Sequence, residues 1–301
     1  MFADRLRASR AAFSRMDVAS RIALTLITVI YLAALLAPVI APYAESQQID
    51  IVAMKSQPPS PAHPFGTDEF SRDILTRVLY GTRVSLAVAT LAMLVSAVIG
   101  TLYGLVAATA GGVADTVMMR VLDAMLSIPR VLLLIAVLAL WFPVPLGVLI
   151  LLLGGTGWFG VSRLVRAEAL SMREREFVLA ARSLGAGAPR IMFRHLLPNV
   201  MAPVIVSTTL GIGNVIVLEA GLAFLGLGAR EPAASLGTMF QAGTEAFVRN
   251  WWAVLFPGVV IVTTVLCFNI LGDALRASLD PRHLPGARVG TGTAALEPSV
   301  K

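Results

Sequence analysis

The chain has 301 residues, 57% of them apolar and only 14% charged, with a mean hydropathy of +0.80. Soluble domains run near half apolar and a quarter charged, so a cytosolic enzyme and a disordered chain are both excluded, and the apolar excess must face lipid. Net charge is +6, and all 24 basic residues except Lys55 and Lys301 are arginine; in a membrane protein this points to cytoplasmic loops before it points to nucleic acid.

Charge-free intervals place the spans in chain order. Residues 22–44 carry no charge and follow Arg5, Arg7, Arg10, Arg15 and Arg21. This run is longer than the about 7–15 apolar residues of a secretory signal, so it reads as a retained first span. Arg83 and Asp115 bound a second interval. Residues 131–162, between Arg130 and Arg163, are too long for one span of about 20 residues and too short for two. A single span there would put Arg163, Arg166, Arg173, Arg175, Arg182, Arg190 and Arg194 outside, against the positive-inside rule. Two spans, the earlier starting near Thr116 and a turn falling at residues 143–145, return those arginines to the cytoplasm. Outside then lie only Lys55, Arg72, Arg77, Arg83, Arg230 and Arg249, with Arg130 inside the third helix.

Uncharged stretches between Arg194 and Glu219 and between Arg249 and Asp273 complete the set. The expectation is an all-α integral membrane protein with six transmembrane helices and both termini cytoplasmic. Its segments are a cytoplasmic start at 1–21, a first transmembrane helix at 22–43 and an extracytoplasmic segment at 44–83. A five-helix core at 84–274 and a cytoplasmic tail at 275–301 follow.

Asp123 and Arg130, seven residues apart, share a face of the third helix, and Arg120 can pair with Asp123 at i,i+3. An intramembrane ionisable group is by default a functional hypothesis. Here both groups fall in the cytoplasmic third, where arginine reaches headgroups and aspartate pairs locally, so they read as structural. Glu219 lies about 30 Å along a helix from Asn199, near the outer interface, and reads as an interhelical hydrogen-bonded carboxylate rather than a proton relay. Gly154, Gly155 and Gly157 suit close helix packing.

Catalytic chemistry is missing. His63, His195 and His283 lie outside the apolar spans, and no metal-ligand spacing or phosphate-binding loop occurs. No Gly-x-Ser-x-Gly elbow is present. The single cysteine, Cys267, allows no internal disulfide and no cysteine metal cluster. No catalytic, metal or cofactor-binding residue is therefore assigned. A secondary transporter would want an ionisable group at the midplane and broken helices in corresponding halves; a membrane scaffold stays open on composition.

Residues 163–198 form the longest charged stretch between spans. They read as a helix, a glycine stop at Gly185 and a short helix beginning at Pro189. Leu184, Ile191 and Phe193 are apolar residues on a basic segment, which fits either an amphipathic stretch on the headgroups or a protein contact favoured by small Ala180, Ala181 and Gly185. This segment resembles the EAA coupling motif of ABC importer permeases, in the oligopeptide/dipeptide/nickel branch. Ala180, Ala181, Gly185, His195, Leu197, Pro198 and Asn199 stand at the pattern's spacing. Residues 63–69, 71–73, Arg77 and 81–86 resemble the branch before its second span. Residues 219–228, 269–273 and 280–282 resemble its last two spans and tail, and the extra first helix resembles the C-type permease of the pair.

One departure stands out: the pattern's glutamate is Leu179 here, and Glu176, one turn earlier on the same face, is the candidate substitute. The resemblance implies the ABC importer permease fold in a prokaryotic plasma (inner) membrane. It also implies a homologous second permease, two ABC ATPase subunits that bind ATP and Mg, and an extracytoplasmic substrate-binding protein. In that picture the chain itself binds no cofactor and no nucleic acid. Glu176, Ala180, Ala181, Arg182, Leu184, Gly185, Ile191, His195, Leu197 and Pro198 would couple the permease to the ATPase, with Arg182 and Leu184 in contact. The proline-bearing segment 44–83 would dock the binding protein or serve as a linker.

Overall fold

A computed structural model describes residues 17–141, 144–229, 234–245 and 247–279. Arg5, Arg7, Arg10, Arg15, Pro143, Arg230, residues 280–282, His283, Arg288 and Lys301 lie outside the described residues. So do most of the segments expected at 1–21 and 275–301.

Among the described residues the protein is helical throughout, apart from one isolated bridge between Thr67 and Asp73. The helices are α1 (Val18–Leu35), α2 (Ala37–Ile40), α3 (Ile74–Ala110), α4 (Gly112–Leu126), α5 (Arg130–Leu138) and α6 (Leu146–Arg173). They continue as α7 (Glu176–Ser183), α8 (Ala188–Ile191), α9 (Leu197–Phe224), α10 (Leu236–Glu245) and α11 (Trp251–Leu279), with a π-turn at Met192–Leu196 joining α8 to α9. Five stretches are long and apolar enough to cross a membrane, and α4 with α5, bent by 72°, makes a sixth.

The bend corrects the reading of the third span as one straight helix. Pro129 lacks an N–H and biases Ile128 away from helical angles, so α4 stops at Leu126 and α5 restarts at Arg130. Asp123 and Arg130 therefore do not share a helix face. Asp123 pairs across to Arg163 on α6 rather than to Arg120 on its own helix. The helix of the second span also starts earlier than its charge-free window. Asp73 caps α3, accepting the Thr76 N–H at 2.8 Å, so Arg83, which closed off the window, lies within the helix, and Arg77 is buried in an ion pair.

Helix α3 packs along α6 at backbone distance. A Cβ on Gly104 would lie 2.5 Å from the Ser162 carbonyl oxygen, and one on Gly154 would lie 2.8 Å from that of Ala92. The Ser96 hydroxyl donates to the Gly154 carbonyl at 2.8 Å. Lipid is as apolar as the side chains, so such contacts stabilise the bundle by packing rather than by hydrophobic transfer. Gly154 and Gly157 serve this packing, whereas Gly155 faces open space.

Candidate functional site

Three regions carry the functional geometry: the two ends of the bundle and a cavity between them.

At the Ala110 end of α3, α6 runs about three turns past the last charge-free residue, so the first part of 163–198 continues that helix rather than forming a loop. Its arginines are tied down internally. Arg166 donates through Nε and Nη2 to both oxygens of Asp115 at 2.6 Å, and Arg173 Nη1 donates to the Ala108 carbonyl at 2.5 Å. The Asp123–Arg163 pair is half-exposed.

Beyond Arg173 the chain turns into α7, which ends in a Schellman motif. The Ala186 N–H reaches the Ala181 carbonyl at 3.0 Å, the Gly185 N–H reaches that of Arg182 at 2.9 Å, and Gly185 sits at φ +80°. That left-handed conformation is why the stop is a glycine. Pro189 lies in the first turn of α8.

Val178, Ile191 and Leu196 are buried against Leu105, Val165, Ala169 and Val200, and so clamp this segment to the bundle. Ile191 thus faces inward, correcting its reading as an apolar residue on the surface; it follows a helix turn whose apolar side must pack. Leu184, by contrast, is 88% exposed, and Phe177, Leu179 and Phe193 are also exposed. Glu176, Ala180, Arg182, Gly185 and Pro198 lie at the surface, with Ala181, His195 and Leu197 half-buried. Glu176 and Leu179 are both exposed in α7, one turn apart.

The Ile74 end is a folded knot, not a linker. His63 Nδ1 hydrogen-bonds Asp73 Oδ1 at 3.0 Å, and the Tyr43 ring stacks on the imidazole. Asp68 Oδ2 accepts Arg72 Nε at 2.7 Å and Arg77 Nη1 at 2.5 Å. The last span closes the knot: Trp252 Nε1 donates to the Thr67 carbonyl at 3.1 Å, and Phe65 stacks on Phe256 at 3.9 Å. Gly66 sits at φ +76°, where a Cβ would meet the Gln57 carbonyl at 2.6 Å.

Nearby, Glu219 is 1% exposed. It accepts the Ser235 hydroxyl at 2.6 Å and the Ser85 hydroxyl at 3.2 Å, joining α9 to α3 and to the approach of α10.

Between the ends lies a cavity of about 810 Å³ walled by α6, α9 and α11, with Arg130 at its side. Arg130 donates from Nε to Thr156 Oγ1 at 3.1 Å and from Nη2 to the Leu153 carbonyl at 2.8 Å. Asn199, Ser207 and Asn214 line the same space from α9. The last two were not singled out in the sequence. Their signal was polar residues seven apart on one face of an otherwise apolar run.

Residues 100–284 match the family described as binding-protein-dependent transport system inner membrane component. Residues 15–59 match the N-terminal TM domain of oligopeptide transport permease C. The chain is 39% identical over 254 residues to the dipeptide transport system permease protein DppC of Bacillus subtilis, covering 84% of this chain and 78% of that protein. It is 36% identical over 268 residues to the oligopeptide transport system permease protein OppC of the same organism, covering 89% and 87%. A putative peptide transport system permease protein of Brucella suis is 43% identical over 265 residues, with 87% of each covered. This chain therefore belongs to the family of binding-protein-dependent transport inner-membrane components, as a multi-pass permease subunit that works with a binding protein and an ATPase and is not itself an enzyme.

Proposed function

We propose that the chain is one of two homologous permeases forming the pore of an ATP-driven peptide importer, with two ATPase subunits on the cytoplasmic side. The single observation that carries this is the exposed apolar surface of residues 176–193. It is clamped to the bundle from within by Val178 and Ile191 while Leu184 projects outward. A rigidly mounted apolar knob is what an ATPase groove can push. Nucleotide-driven closure of the ATPase pair then moves α7 and α8 as a body and tips the spans, a rigid-body switch at an interface. The arginine ties from α6 to Asp115, Asp123 and Ala108 carry that motion into α3 and α4.

Arginine density supports a cytoplasmic position for this end, with the knot of residues 43–77 facing the binding protein. The peptide substrate is supported by the relatives' stated substrates. The test is uptake of a labelled dipeptide by the complete transporter in proteoliposomes. Uptake that requires ATP and binding protein supports the reading, and peptide uptake independent of either contradicts it.

A further inference from the structure

The cavity wall holds two guanidiniums, Arg130 and Arg276, and one carboxylate, Glu168, and Arg130 is paired neither with that carboxylate nor with another among the described residues. Four arginines pass between α6 and the helices before it: Arg163 meets Asp123, Arg166 meets Asp115, and Arg173, at the Ala110 end, donates to the Ala108 carbonyl. Arg130 meets no carboxylate among the described residues; it donates to the Thr156 hydroxyl and the Leu153 carbonyl, both uncharged. Of the five N–H groups on a guanidinium, these use two.

Its depth makes this costly. Thr156 precedes Arg163 by seven residues, so Arg130 is held about 10 Å further outward along α6 than the Asp123–Arg163 pair. The bend at Pro129 turns it toward this part of α6. An arginine at such depth persists where it faces a partner or a water-filled space, and this one borders a cavity within the size range of small-molecule sites. Gly157 makes room for it, since a Cβ there would lie 3.2 Å from Nη2. Across the space, Asn214 is exposed and Ser207 half-buried. They supply amide and hydroxyl groups of the kind that pair with peptide amides.

We propose that Arg130 anchors a carboxylate of the transported solute within this cavity, with Ser207 and Asn214 facing the same molecule. The proposal rests on the peptide-import reading above, and a free peptide end is the carboxylate that reading supplies. Bidentate pairing with a carboxylate is the contact a guanidinium makes best.

The test compares alanyl-alanine with its C-terminal amide in proteoliposomes holding the complete transporter, with the original chain, Arg130→Gln and Arg130→Lys. The same binding protein delivers to every variant, so the variant-to-original ratio for each peptide isolates the permease. Arg130→Gln should lower carboxylate-peptide uptake about tenfold or more, change amide uptake less than about twofold, and be partly rescued by lysine.

A readout without the binding protein uses Gly160→Cys, whose side chain would enter the cavity with nothing within 4 Å. In the purified complex, alanyl-alanine should slow maleimide labelling, the amide should not, and Arg130→Gln should abolish the slowing. Equal effects on both peptides, or none on either, would overturn the proposal. So would loss of the second permease from the Arg130→Gln complex, which would make Arg130 an assembly contact. A transporter that moves another solute but no peptide sinks the import reading and this site together; peptide uptake indifferent to Arg130 sinks the site alone.

Discussion

At the Ile74 end of the bundle, Asp68 holds two mostly buried arginines, His63 meets Asp73, and Trp252 from the last span closes over Thr67. At the Ala110 end, α7 and α8 bury one side only and leave Leu184, Phe177 and Phe193 uncovered. The first region pairs its buried ionic side chains within the chain, although Ser71 Oγ, Thr76 Oγ1 and Asn250 Oδ1 are buried there without a hydrogen-bond partner, so its stability is its own. The second is finished only by a partner, and its exposed residues bear on assembly more than on folding. Substitutions at the two ends should therefore separate stability from coupling.

The largest effect is expected from Asp68→Ala, which removes the carboxylate shared by Arg72 and Arg77. It should cost about 3 kcal/mol, read as a lowered unfolding midpoint of the purified chain in detergent. Gly104→Val comes next. Its Cβ would press on the Ser162 carbonyl, and overpacking of this kind costs about 1–3 kcal/mol. It strikes the α3–α6 packing that supports the Ala110 end, so stability and transport should fall together.

Gly185→Ala forces a side chain into the left-handed region at the α7 stop and should cost about 1 kcal/mol. That loss should be local, seen as faster proteolysis within 183–188 and weaker ATPase retention. Leu184→Ser should change stability by less than about 0.5 kcal/mol yet reduce the ATPase recovered with the tagged chain. A Leu184→Ser protein that unfolds early would break the comparison, because it would show this end to be part of the fold's own core.

Much of this division was legible in the sequence. The charge-free window at 131–162, weighed against the arginines after it, separated two spans from one, and the third crossing is the bent α4–α5 pair. Gly185 and Pro189 marked the turn between α7 and α8 because both act through local backbone geometry.

What escaped depended on distant partners. That Arg163 and Arg166 are tie-bars, not presented charges, follows from Asp123 and Asp115, 40 and 51 residues upstream. Charge windows also hid the true start of α3, since Arg83 ends the uncharged run although the helix continues back past it and past Arg77, which pairs with Asp68. Pro129 is a readable helix breaker, and it overrides the seven-residue spacing that would put Asp123 and Arg130 on one face. Ile191 looked presentable beside Leu184, and only the packing of α8 on Leu196 and Val178 turns it inward.

The most direct test places a photoreactive residue at position 184 and, in a separate protein, at position 52, where Val52 is 90% exposed near the opposite end. Both are irradiated in native membranes. The account predicts that position 184 forms an adduct with a Walker-motif ATPase and position 52 does not. Adducts from position 184 with lipid alone, or ATPase captured from position 52, would contradict it.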